Sequence, residues 1–270
     1  MEWKNIYRGI LMGASDVVPG VSGGTIAVVL GIYDRLIEAI NGLFSKDWKR
    51  QLGFLIPLGV GVVGAVLLLA DLIEWLFEHH PGPTQFAFLG LIVGVLPFLF
   101  HKSEAKKTFR LQHFILLLIG AVLVSSMIFL GSGETDPVEN VTITTYGWLF
   151  ISGFLASAAM VLPGVSGSFL LLIIGSYSTI INAIAELKLD IIGITGLGII
   201  LGIVVMSKII HFFLENYTTG TFALVIGLVI GSIVVIFPGW PAELSGVIIS
   251  VVTFAAGLLV AYLLGRVEYK

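Results

Sequence analysis

Two short strings carry the polar groups with the most chemical promise. Asp16-Val-Val-Pro-Gly-Val-Ser-Gly-Gly-Thr25 and Val161-Leu-Pro-Gly-Val-Ser-Gly-Ser168 each interrupt otherwise apolar sequence. Proline removes a backbone donor and collides with a continuing helix, and the glycine beside it adds freedom, so a helix stops at each string. A helix restarting near Ser22, Gly23, Gly24 and Thr25, or near Ser166, Gly167 and Ser168, presents free N–H groups, hydroxyl donors and the positive end of its dipole. Such a terminus favours an anion, phosphate above all, and glycine admits a ligand close to the backbone. These are the candidate substrate-binding residues. The plainer alternative is a Pro-Gly kink whose Ser and Thr hydroxyls bond back to helix carbonyls, common in membrane helices.

Asp16 heads the first string, and Met160 stands at the corresponding place in the second. An ionisable group at membrane depth is costly and points to function, here a site for coupling to protons or sodium. At a surface the same residue is an ordinary helix N-cap. Asp71 with Glu74, and Lys208 with His211, are spaced by three so that each pair shares a helix face. With Arg35 and Glu38 they are candidates for gate or headgroup contacts, or they simply snorkel to the interface. Nothing suggests a catalytic set, a cofactor or a nucleic-acid partner. The chain has no cysteine, and its five histidines are scattered without zinc-ligand spacing, so no metal site is expected.

The elements that hold these strings are membrane helices. Of 270 residues, 57% are hydrophobic and 11% charged, against roughly 25% charged in a soluble domain. Apolar runs at 52–77, 84–100, 112–130, 191–214, 221–237 and 244–264 predict six crossings in an all-α, polytopic membrane protein. Lys4 and Arg8 before a short apolar stretch superficially resemble a signal peptide, but no small-residue cleavage site follows and the pattern returns later in the chain.

That return is an internal repeat. An offset of 144 aligns Gly9 with Gly153, Ala14 with Ala158, Pro19 to Gly23 with Pro163 to Gly167, and Gly31 and Tyr33 with Gly175 and Tyr177. An offset of 137 then pairs Glu78 with Glu215, Thr84 with Thr221, Gly90 with Gly227 and Gly94 with Gly231. Each half (1–145 and 146–270) reads as a re-entrant helical hairpin (5–32 and 149–176), its arms too short to span, followed by three crossings. Three is odd, so the halves are expected in inverted topology. All Lys and Arg except Lys188 and Lys208 then fall on the side of the N-terminus, which predicts both termini cytoplasmic. Inverted hairpins bring their tips together near the midplane, where transporters place their sites.

The paired strings, each followed by Gly-x-Tyr at 31–33 and 175–177, closely resemble a bacterial family of undecaprenyl-phosphate (polyprenyl-phosphate) translocases of the PopT type, once known only as a domain of unknown function. The resemblance covers the whole chain. It implies a multi-pass protein of the bacterial plasma membrane, not an enzyme, that returns the lipid carrier of cell-wall synthesis from the outer to the inner leaflet. Its expected partners are a polyprenyl-phosphate lipid and the membrane lipids. Carrying the phosphate inward against an inside-negative potential costs about 2.3 kcal/mol per charge per 100 mV, so cation coupling is expected, with Asp16 as the carrier. Two other readings compete. A secondary carrier of a small soluble anion uses the same helix termini. Polyprenyl-pyrophosphate phosphatases share a Pro-Gly-x-Ser motif, but the arginine that clamps a transferring phosphoryl group is absent from both strings.

Overall fold

The computed structural model describes residues 1–16, 22–43, 45–130, 137–138 and 142–268. The described residues form helices α1 (Asn5–Asp16), α2 (Gly23–Val29), α3 (Tyr33–Gly42), α4 (Trp48–His79), α5 (Pro81–Lys102), α6 (Ala105–Thr108), α7 (Leu111–Ser126), α8 (Ile143–Val161), α9 (Gly167–Ile174), α10 (Tyr177–Ala185), α11 (Leu189–Asn216), α12 (Thr218–Ile236) and α13 (Leu244–Glu268). Among them there is no strand. Seven helices (α4, α5, α7, α8, α11, α12 and α13) are long and apolar enough to cross a membrane. The chain is an all-α polytopic membrane protein.

Six of these spans coincide with the apolar runs. Their ends differ by a few residues because polar and aromatic residues extend the helices: α4 starts at Trp48 and runs 32 residues to His79. The seventh, α8, departs from the expectation of short arms. It begins at Ile143, not at 149, and its 19 residues reach about 28 Å at 1.5 Å per residue. Capping is the cause. Thr142 Oγ1 accepts from the Thr145 amide and Thr145 Oγ1 accepts from the Thr142 amide, a reciprocal arrangement that starts the helix in polar sequence. Helices α1, α2 and α9 have 12, 7 and 8 residues.

Helix pairing follows small residues. α1 packs along α4 and α8 along α11, while α5 pairs with α13 and α12 with α7. Gly9 lies against the Leu58 carbonyl and Gly153 against that of Thr195; Gly90 meets the Phe254 carbonyl and Gly227 that of Leu117. A Cβ at any of these positions strikes backbone, so glycine sets the close approach. The contacts recur at the sequence offsets of 144 and 137. The last helix of each half packs on the other half. α5 and α12, equivalent in sequence, run antiparallel side by side: Phe86 near the start of α5 meets Phe237 just past α12 (centroids 5.9 Å apart), and Lys102 at the end of α5 lies over Phe222 near the start of α12 (5.5 Å).

The core sits where these pairs converge. Every residue of α2 is buried, and Ile26, Val28, Val29 and Leu30 pack with Leu89, Ile92, Val225, Ile226 and Val229. A seven-residue helix with polar N-terminal residues is thus enclosed by longer ones, in the place a membrane protein reserves for non-helical backbone.

Candidate functional site

Both strings terminate and restart helices, although Pro19 and Gly20 of the first lie outside the described residues. In the second, α8 ends at Val161, Leu162 is extended, and Gly164 adopts φ +88. A Cβ on Gly164 stands 2.5 Å from the Leu228 carbonyl oxygen, so position 164 needs glycine for both conformation and space. Ser166 then caps α9, its Oγ accepting from the Phe169 amide (3.4 Å) and lying 2.9 Å from the Ser168 hydroxyl. Ser22 caps α2 in the same way through the Thr25 amide (3.4 Å). The serine type and its spacing therefore do the same local work twice.

The two strings touch. The Gly164 amide donates to Thr25 Oγ1 at 2.8 Å, and the Tyr33 hydroxyl donates to the Val161 carbonyl at 3.2 Å. Gly24 leaves room for the Met160 carbonyl. Ser22, Thr25 and Ser166 are all buried. Asp16 reaches across the break so that its Oδ1 accepts from the Gly23 amide at 2.6 Å. The carboxylate thus occupies the N-terminus of α2, the position from which the sequence reading expects an anion to be held. Buried backbone donors require partners, and here residues of the strings supply them to one another.

Beside this junction a cleft of about 860 Å³ opens between α7, α11 and α12. Its walls are apolar (Ile115, Leu116, Ile209, Phe213, Leu224), its rim is polar (Gln112, His113, Asn216, Thr218, Thr219), and its inner end is closed by Tyr33 and Leu162. Ile115 and Phe213 are 51% and 46% exposed whereas Tyr33 is 3% exposed, so the cleft runs from the flank of the bundle to the second tip. The shape accepts an apolar chain alongside a polar group. His113 Nδ1 accepts from the Arg110 amide (2.9 Å).

The remaining candidates lie apart from the junction. Arg35 bonds Gln51 (2.6 Å) and pairs with Glu38 (3.5 Å). His211 pairs with Glu215 (3.3 Å), and Asp71 and Lys208 are exposed on their helices. Glu74 lies in α4, its side chain outside the described residues. None of the other five lines the cleft. Among the described residues no cluster of His, Cys, Asp and Glu is arranged to hold a metal.

The sequence reading missed Gln112, His113, Asn216, Thr218 and Thr219 as a group. Their signal is weak: polar residues at the starts of α7 and α12 and the end of α11, where any helix carries them. Tyr33 stood out only as part of the repeat.

A family model described as undecaprenyl phosphate translocase-like matches residues 12–253. A polyprenyl-phosphate transporter of Staphylococcus aureus (strain NCTC 8325 / PS 47) is 40% identical over 274 residues, covering 98% of this chain and 97% of the relative. A polyprenyl-phosphate transporter of Vibrio cholerae serotype O1 (strain ATCC 39315 / El Tor Inaba N16961) is 39% identical over 259 residues, covering 91% and 80%. No solved structure matches.

Proposed function

Since the chain belongs to the undecaprenyl phosphate translocase-like family, we propose that it carries a polyprenyl phosphate across the bacterial plasma membrane, from the outer to the inner leaflet. The observation that carries this reading is the cleft between α7, α11 and α12, open along the bundle's flank and ending at the junction of the two strings. An isoprenoid tail lies against its apolar walls or stays in lipid, while the phosphate enters at the polar rim and moves toward the end closed by Tyr33 and Leu162. A lateral opening suits a lipid better than a small soluble anion, which a sealed chamber would serve. Transport also suits the strings better than hydrolysis, because neither brings an arginine to clamp a phosphoryl group.

The two halves are read as inverted repeats, a reading supported by the antiparallel course of α5 and α12 and by contacts recurring at the repeat offsets. With the basic loops cytoplasmic, both termini face the cytoplasm and the rim of the cleft lies at the inner leaflet. Asp16 is the proposed cation carrier. A proton or sodium ion bound at its carboxylate beside the Gly23 amide, and carried inward with the lipid, offsets part of the charge moved against the potential.

The test is protection of a labelled polyprenyl phosphate from an external, impermeant reagent in proteoliposomes. Protein-dependent protection that builds with time is the expected result. Protection equal to that in empty vesicles sinks the lipid assignment, and release of phosphate from a polyprenyl pyrophosphate restores the hydrolytic alternative.

A further inference from the structure

Among the described residues that line the cleft there is no lysine or arginine, although its proposed cargo is an anion. Immediately behind its inner end is a second void, of about 10 Å³, that shares Tyr33 and Val225 with the cleft and is also bounded by Asp34, Lys102 and Phe222. In it the Lys102 ammonium contacts Asp34 Oδ2 at 2.6 Å and lies over the Phe222 ring. Asp34 Oδ1 is buried without a hydrogen-bond partner among the described residues. The pair is open to water on its other side, with 29% of the Lys102 side chain and 42% of the Asp34 side chain exposed, so it contributes little net stability and the lysine can leave it for another anion. Lysine is a compact charge on a flexible stem, suited to changing partners.

We propose that Lys102 is the counter-ion of the lipid phosphate at the end of the cleft, and that Asp34 holds it when the lipid is absent. This rests on the lipid-phosphate reading above. The void is far too small for a phosphate, so the exchange takes place by movement of the lysine stem past Tyr33 toward the cleft. Asp34 then competes with the cargo, which keeps the site from trapping its ligand.

The two roles give opposite signs. With the purified full-length protein in nanodiscs, binding of a polyprenyl phosphate and of the uncharged polyprenol is measured side by side. Lys102→Gln weakens the phosphorylated lipid roughly tenfold, the scale of one charge-assisted contact, and leaves the polyprenol unchanged. Lys102→Arg retains the preference, and Asp34→Asn tightens the phosphorylated lipid several-fold. Thermal unfolding of each variant is followed in parallel. If Lys102→Gln keeps the wild-type preference, or if Asp34→Asn weakens phosphate binding as the lysine variant does, the pair is only structural and the proposal is overturned. If wild-type protein shows no preference for the phosphorylated lipid, the functional reading fails first, independently of Lys102.

Discussion

Asp16 and Gly164 show how single residues at the junction combine structure with function. Asp16 caps α2 through one oxygen, and an amide oxygen accepts the same bond. Asp16→Asn is therefore expected to leave thermal stability close to wild type while abolishing the proton or sodium dependence of lipid movement in proteoliposomes. An unchanged ion dependence removes Asp16 from the coupling role. Gly164→Ala acts on folding instead. It forces a non-glycine residue to φ +88 and brings a methyl group 2.5 Å from the Leu228 carbonyl oxygen. The expected cost is about 1–3 kcal/mol, read as a lowered unfolding midpoint in detergent.

At the scale of elements, glycine registers decide which helices meet. Gly90→Leu on α5 and Gly227→Leu on α12 each drive a side chain into facing backbone, at Phe254 and Leu117 respectively. Both variants are expected to lose similar amounts of folded protein, at least the 1–3 kcal/mol of ordinary overpacking, measured by fluorescence-detected size exclusion after heating. Unequal losses break the equivalence of the two contacts. These registers were partly legible in advance, because Gly90 and Gly227 align in the repeat. The helix stop at Pro163 was legible too, since proline acts on the backbone next to it, whereas the serines were read as hydroxyl donors to an anion and their role as caps was not foreseen. The longer start of α8 was not, because a threonine pair caps a helix without any apolar signal. The cleft was not either: Leu116, Ile209 and Leu224 come from three helices far apart in the chain, and only packing brings them to one wall.

At the scale of the whole molecule, the sidedness of the cleft becomes a measurable property. The chain contains no cysteine, so a single introduced thiol is unique. Thr219→Cys, at the polar rim, is expected to react with a water-soluble thiol reagent supplied from the cytoplasmic side of oriented vesicles and to resist the same reagent from outside. Polyprenyl phosphate is expected to slow that labelling at least several-fold. Reaction only from the outside reverses the orientation proposed from the basic loops. The exchange of last helices between halves carries one more consequence, for biosynthesis. α5 enters the bilayer long before the ribosome has made α13, the helix whose backbone it fits. A nascent chain stalled ahead of Leu244 leaves the Gly90 face of α5 against lipid, so the finished bundle closes only after the final segment is inserted.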